Sequence, residues 1–398
     1  MTKTEQFIDE AEEVSAHNYH PLPVVISEAS GIWVTDVEGK RYIDMLSAYS
    51  AVNQGHRHPR IIKALKDQAD KLTLTSRAFH NDQMGPFCRK LTKITGYDKA
   101  LLMNTGAEAV ETAIKAARRW GYNVKKVPEG KAKIICCDGN FHGRTTTIVG
   151  FSTDPDCRTG FGPFTPGFEI IPYNDATALE KAIDANTVAF LVEPIQGEAG
   201  VFVPSEGYLK KCREITKKLG VLLICDEIQT GFGRTGRMFC SDWEDVRPDI
   251  ITMGKALGGG VYPVSGIVAD DEIMMAAFEP GNHGSTFGGN PLACAVASVA
   301  LDVIVDENLP ARSAELGDFF RGEIRKANLK RVKEIRGKGL LTGVELHEKA
   351  RPFSEELMRR GILAKDTHGT TIRFAPPLVI TKDEIAEAVK TIVAVLGK

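Results

Sequence analysis

Short apolar runs rich in branched residues recur along the chain, and stretches with a helical period separate them. Val221–Cys225, Asp249–Met253, Lys133–Cys137 and Val188–Val192 are each the length of a buried strand. Pro59 opens a helix expected to reach about Leu72, with Ile62, Leu65, Ala69 and Leu72 on one face. Thr105 and Glu108 stand at capping-box spacing, and Val110, Ala113, Ile114 and Ala117 follow as an apolar stripe. Ser205–Leu219 is amphipathic and leads into the strand at Val221. Near the start, GIWVTDVEGKRYIDM alternates and breaks at Glu38-Gly39, the pattern of a hairpin. Residues 47–58, 151–172 and 283–291 are rich in glycine, proline or polar residues and read as loops. Strands alternating with helices predict an α/β fold with a mainly parallel sheet covered on both faces. A long helix from Leu292 to about Asn308 leaves that layer, and from about Arg312 the pattern changes to a smaller α+β domain.

Composition narrows the partners. The chain has 398 residues, enough for two or three domains, with 43% hydrophobic and 26% charged residues. A net charge of −2 suggests neither a nucleic-acid nor an anionic-membrane partner. No apolar run approaches the length of a membrane span. The start, MTKTEQFIDEAEE, is acidic and lacks an apolar core, unlike a secretory or transit peptide. Eight scattered cysteines without a CxxC fit a reducing cytoplasm.

Two of the strands end in chemistry. Val221–Cys225 runs into Asp226 and Glu227, and Asp249–Met253 runs into Gly254 and Lys255. Unpaired carboxylates are costly in a core, so neither acid is expected to serve it. In open α/β sheets ligands sit beyond the carboxyl ends of the strands, so acid and lysine meet across one crevice. That pair suits pyridoxal phosphate: the amine forms a Schiff base with the aldehyde, and the acid keeps the pyridine nitrogen protonated. Gly231, Gly233 and Gly236 spell GxGxxG, but they follow an acid pair that would repel a pyrophosphate. No clean helical period follows them, and they read as a loop. The free amides of Gly106 and Ala107, at the positive end of a capped helix, suit a phosphate. Phe141 and His142 lie past a strand end and suit stacking on a flat ring, and Arg144 suits bidentate pairing with a carboxylate. Glu198, shortly after the strand ending at Glu193, falls on the same crevice side. His56 and His58 have no acid or cysteine at ligand spacing, and no metal site is expected.

Ten motifs spread over nearly the whole chain carry a family resemblance. They are NYHPLP (18–23), SAYSAVNQGH (47–56), KLTLTSRAF (71–79), MNTGAEA (103–109), GNFHGRT (139–145), EPIQGEAGV (193–201), DEIQTGFGRTG (226–236), GKALGGGVYPVS (254–265), GSTFGGNPL (284–292) and RFAPPLVI (373–380). Through them the chain resembles the class III (omega) aminotransferases among the fold-type I pyridoxal-phosphate enzymes. NYHPLP, SAYSAVNQGH and RFAPPLVI resemble more narrowly the branch that acts on ornithine. The resemblance implies a seven-stranded sheet in a large domain (51–291), an N-terminal segment (1–50) joining the small domain, and a linking helix with the C-terminal small domain (292–398). It also implies a homodimer or higher homo-oligomer, with active sites at the subunit interface.

The roles follow from the same resemblance. Lys255 would be the Schiff-base lysine and the base that shuttles the proton. Asp226 would pair with the pyridinium nitrogen and Gln229 would reach the phenolic oxygen. Gly106 and Ala107 would bind the phosphate, joined by Thr286 of the other subunit. Phe141 would stack on the ring, with His142 at its edge. Eukaryotic members of the ornithine branch typically carry tryptophan at position 142, and His142 resembles other class III members. Tyr19 and Arg144 would hold the α-amino and α-carboxylate groups of L-ornithine, presenting its δ-amine. Arg373 would bind the α-carboxylate of glutamate or 2-oxoglutarate, Glu198 would mask that arginine when ornithine is bound, and Tyr49 would shape the pocket. The alternatives are a class III enzyme acting on N-acetylornithine or 4-aminobutyrate, or a noncatalytic oligomeric binding protein on this scaffold.

Overall fold

The computed structural model of the protein describes residues 1–397. In chain order the strands are β1 (Ile26–Ser30), β2 (Trp33–Asp36), β3 (Arg41–Asp44), β4 (Lys99–Met103), β5 (Lys133–Cys137), β6 (Phe168–Ile171), β7 (Thr187–Val192), β8 (Leu222–Asp226), β9 (Ile250–Met253), β10 (Ser265–Ala269), β11 (Val332–Lys338), β12 (Leu341–Leu346), β13 (Ile362–Leu363), β14 (Lys365–Thr367) and β15 (Thr371–Phe374). Seven of them form the large sheet, in the order β4-β10-β9-β8-β7-β5-β6. Only β10 runs against its neighbours; the pairs from β9 across to β6 are all parallel.

The apolar runs become strands because both their faces are covered. Every residue of β7 and β8 is buried. Successive side chains point to opposite faces. Leu222 and Ile224 pack with Val110, Ala113 and Ile114 of the helix Gly106–Asn123. Leu223 and Cys225 pack on the other face with Leu209, Cys212 and Ile215 of the helix Tyr208–Lys218. A strand wanted by two layers has no polar face, which explains its continuous apolar reading.

Two smaller sheets complete the fold. β1, β2 and β3 form the expected hairpin region, and β3 pairs in parallel with β13. The N-terminal segment thus shares a sheet with a strand from the far end of the chain. The last sheet runs β11-β12-β15-β14. Among the described residues no helix is long and apolar enough to cross a membrane.

Three local expectations need correction. Residues 151–172 are not one long loop: Pro155–Arg158 is a helical turn, and β6 forms the edge of the large sheet. An edge strand of four residues, preceded by a run of Gly, Pro and Phe, carries too little period to be read. The helix expected to reach Leu72 ends at Ala69. It buries Ile61 and Gln68, while Ala69 and Leu72 are exposed. Ile61 takes that place because it packs beneath Gly259, where an added Cβ would lie 2.9 Å from it. Lastly, the polar loop beginning at Ser47 opens with a tight left-handed turn through Ser50.

Candidate active site

β8 and β9 are neighbours in register, with Asp226 opposite Thr252. Their carboxyl ends deliver Asp226 and, two residues past Met253, Lys255 to one cavity of about 210 Å³. Gly106, Ala107, Phe141, His142 and Gln229 line the same cavity. It therefore lies where ligands sit in parallel sheets.

Asp226 is buried and held on every side. Its Oδ1 accepts from the Ile228 amide (3.1 Å) and the Thr252 hydroxyl (3.0 Å), and its Oδ2 pairs with His142 Nδ1 at 2.6 Å. His142 is as deeply buried, and its Nε2 has no partner. Burial alone would lower the imidazolium, but the Asp226 bond and the charges of Asp226 and Glu193 outweigh it and raise the histidine pKa. His142 thus acts on the carboxylate from behind as well as lining the cavity.

Lys255 follows Gly254 in a short 3₁₀ turn and takes a left-handed φ of 44°. Such conformations gather at functional sites, where packing over-determines them. Burial pushes its ammonium pKa down, against the charges of Glu198 and Asp226. A lowered pKa favours the neutral amine, the nucleophilic form.

Across the cavity Thr105 caps the helix Gly106–Asn123. Its hydroxyl accepts from the Glu108 amide, and Glu108 Oε2 accepts from the amides of Thr105 (2.7 Å) and Asn104 (3.0 Å). The reciprocal box leaves the amides of Gly106 and Ala107 to an anion. A Cβ on Gly106 would stand 3.1 Å from Ile228, so the wall tolerates no side chain there without shifting.

A second charged pair lies beside Gln229. Arg373 Nη1 donates to Glu198 Oε1 at 2.7 Å, and Gln229 Nε2 donates to the same oxygen at 3.1 Å. Burial would raise the Glu198 carboxyl, but Arg373, Lys255 and Gln229 together bring its pKa below the usual carboxylate value. Tyr49 lays its ring over the Arg373 guanidinium, 4.7 Å from the centroid. Arg144 is exposed, with its guanidinium 5.9 Å from the Phe141 ring centroid. Tyr19 is exposed too, but near enough, like Arg144, to bear on the Tyr49 phenol. Thr286 is exposed and is not among the residues lining this cavity.

Two acids depart from the sequence reading. Glu227 does serve the core. It is fully buried and accepts from the Thr230 hydroxyl and from the amides of Cys240 (2.9 Å) and Ser241 (2.8 Å). Glu227→Ala is expected to destabilise the fold by at least about 2 kcal/mol, because two buried amides lose their acceptor. Denaturant unfolding would measure it; an unchanged midpoint would show that other groups satisfy those amides. Glu193, given no role from sequence, lines the cavity and accepts from the Phe141 amide at 2.9 Å. Burial pushes its carboxyl up to about 7. The readable signal was an acid directly after an apolar strand, the same signal that singled out Asp226.

The chemistry of these donors fits pyridoxal phosphate: an anion site at a helix end, a carboxylate backed by histidine, and an amine of lowered pKa in one cavity. Comparisons with known proteins agree. The family model described as aminotransferase class-III matches residues 14–396. An ornithine aminotransferase of Brevibacillus brevis is 62% identical over 396 residues, covering 100% of this chain and 99% of its own length. A crystallised ornithine aminotransferase of Toxoplasma gondii, described with partial occupancy of PLP at its active site, is 49% identical. It superposes with a TM-score of 0.98 over 99% of this chain and 94% of its own. An acetylornithine aminotransferase of Elizabethkingia anophelis is 50% identical, with a TM-score of 0.91 over 100% of this chain and 99% of its own.

Proposed function

The chain belongs to the class-III aminotransferases, and on that premise we propose that it transfers the δ-amino group of L-ornithine to 2-oxoglutarate. The products are glutamate and glutamate 5-semialdehyde, which cyclises to pyrroline-5-carboxylate. Enzymes of this family use pyridoxal phosphate, which when bound supplies a reactive aldehyde and an electron sink. Gly106 and Ala107 hold its phosphate, Asp226 keeps its ring nitrogen protonated, and Phe141 covers its ring. Lys255 Nζ takes the proton from the amine-bearing carbon of the donor and returns it on the product side. Tyr19 and Arg144 hold the α-groups of ornithine. A cytoplasmic homodimer, with Thr286 of one subunit completing the phosphate site of the other, belongs to the same reading.

The observation that carries the substrate assignment is the Glu198–Arg373 pair. One pocket must accept two different substrates in turn, ornithine and the glutamate/2-oxoglutarate pair. Ornithine brings its δ-amine on an uncharged chain, whereas glutamate brings a carboxylate beside its amine. A free arginine at that position favours glutamate and invites reaction at ornithine's own α-amine. A carboxylate paired with it removes the bias, and it must leave when a substrate carboxylate arrives. The deciding experiment is a donor panel of ornithine, N-acetylornithine and 4-aminobutyrate, with 2-oxoglutarate as acceptor. Ornithine is expected to lead; N-acetylornithine leading would move the enzyme to the sister activity carried by the Elizabethkingia relative.

Glu198→Ala is expected to raise the efficiency of the glutamate half-reaction and lower that of ornithine, by about tenfold in their ratio. An α-keto acid from ornithine should appear as a new product. Equal losses in both half-reactions, with no α-product, would reduce the pair to a structural bridge.

A further inference from the structure

The GFGRTG segment (231–236) resembles a nucleotide fingerprint and is not one, yet it has a guanidinium at its centre. Left-handed φ values at Phe232 (54°), Gly233 (89°) and Gly236 (99°) wind the loop tightly. At Gly233 an added Cβ would press on Leu378 and Pro310 at 3.2 Å. The winding turns Arg234 inward, where it is fully buried. Its Nη1 donates to the carbonyls of Leu340 (2.9 Å) and Pro376 (2.7 Å), and its Nη2 to Asn53 Oδ1 (2.6 Å). All three acceptors are neutral. A buried cation bonded to no carboxylate costs the fold stability, and burial pushes this guanidinium down to about 9. Such a group calls for a task that a hydrophobic residue cannot perform.

Its acceptors lie on segments that surround Arg373. Leu340 leads into β12, which pairs with β15, the strand that carries Arg373. Pro376 is three residues past Arg373. Asn53 lies three residues past the left-handed turn, Ser47–Ser50, that presents Tyr49. That turn is costly: Ser47, Ala48, Tyr49 and Ser50 all take left-handed φ values, 52°, 46°, 60° and 73°, and none is glycine. Asp44 grips its start, with Oδ1 accepting from the amides of Leu46 and Ser47 at 2.8 Å each. Its backbone is laced to the residues after Arg373: the Ala375 amide donates to the Met45 carbonyl (2.6 Å), and the Leu378 amide to that of Asn53 (2.8 Å).

We infer that Arg234 is a positioning residue: by joining Asn53 to Pro376 it holds the left-handed turn in register with the Arg373 strand and seats Tyr49 on the Arg373 guanidinium. The inference rests on the proposed role of Arg373 as the carboxylate-binding residue. With an aromatic ring covering one face, Arg373 is confined to partners in its own plane: Glu198, Gln229, the Gly197 carbonyl or a substrate carboxylate. Lysine cannot replace Arg234, because a point charge does not reproduce a planar fork that reaches acceptors on separate segments.

The test uses the holoenzyme and single-turnover reaction with glutamate, whose carboxylate meets Arg373. Wild type, Arg234→Lys, Tyr49→Leu and the double variant form a cycle. Arg234→Lys is expected to raise the glutamate concentration for half-saturation about tenfold, with the limiting rate within about twofold. Cofactor affinity, followed by fluorescence titration of the apoenzyme, should not change. In the Tyr49→Leu background the lysine substitution should add less than about twofold, since its effect passes through Tyr49. Full additivity overturns the inference, as does a fall in limiting rate without a change in half-saturation. Asn53→Ala removes the tie to the turn, together with the Asn53 Nδ2 bond to the Phe232 carbonyl (3.1 Å), and should reproduce the shift. If both Arg234→Lys and Asn53→Ala lose the folded state in thermal melts, the tie is a folding element and the inference fails. Failure of ornithine in the wild-type donor panel would sink the proposed donor alone, since this cycle reads glutamate.

Discussion

Lys255→Ala is expected to fold and to bind pyridoxal phosphate, yet to turn over no amino donor. On the proposed roles, the substitution removes the nucleophile that would bond the cofactor and the base that would move the proton. The base alone contributes about 10²- to 10⁴-fold, so the combined loss lies at or beyond the upper end. The fold should survive for two reasons. Lys255 sits at a φ of 44°, which alanine meets with a similar penalty, so no new strain enters. Burial already disfavours the lysine charge, so its removal relieves a desolvation cost. The neighbours least content with the change are Glu198 and Asp226, whose charges the amine offsets, and each keeps partners of its own. Borohydride reduction of the wild-type holoenzyme, followed by peptide mapping, should place the label on Lys255. A label on another lysine, or residual turnover above about one part in 10² of wild type, would refute the assignment.

What was legible in the sequence, and what was not, divides along physical lines. The strands of the large sheet could be read because both faces are buried, so burial prints itself as unbroken apolar runs. Asp226 and Lys255 could be read because a charged residue beside such a run must face a ligand, a partner or water. The same logic misled at Glu227. One residue further on, the chain has already turned, and the side chain meets the amides of Cys240 and Ser241 instead of the cavity. Sequence shows where a strand ends but not which way the next side chain swings. Contacts between distant residues leave no local sign either. Nothing in the spacing joins Glu198 to Arg373, or Arg234 to Asn53; only the family resemblance implied the first pair, and nothing implied the second. The left-handed turn at Ser47–Ser50 was hidden for another reason. Positive φ is usually advertised by glycine, and here tertiary bonds impose it on ordinary residues.

Asp226→Asn should retain the cofactor and lose about a hundred- to a thousandfold in kcat, with KM little changed. A neutral amide cannot keep the ring nitrogen protonated, and the electron sink needs that charge. The surroundings of Asp226 sharpen the expectation. Its Oδ2 pairs with His142 Nδ1, and its Oδ1 accepts from the Ile228 amide and the Thr252 hydroxyl. Asparagine can offer one oxygen to these donors, not two. If that oxygen stays on His142, the amide nitrogen faces the Ile228 N–H, and two donors oppose each other in a buried site. If it flips, its nitrogen faces His142, which must then accept through Nδ1 as a neutral ring, and the bond and charge of Asp226 that raise its pKa are gone. In both arrangements the negative charge is lost, and with it the charge of Asp226 that helps raise the His142 pKa. A substitution of His142 alone, such as His142→Gln, removes only the imidazole behind the carboxylate and should therefore cost less than Asp226→Asn. Single-turnover rates with a saturating donor would separate the two. Asp226→Asn turning over within about tenfold of wild type would mean that another group holds the ring nitrogen, and Glu193, the other carboxyl lining the cavity, would be the residue to test.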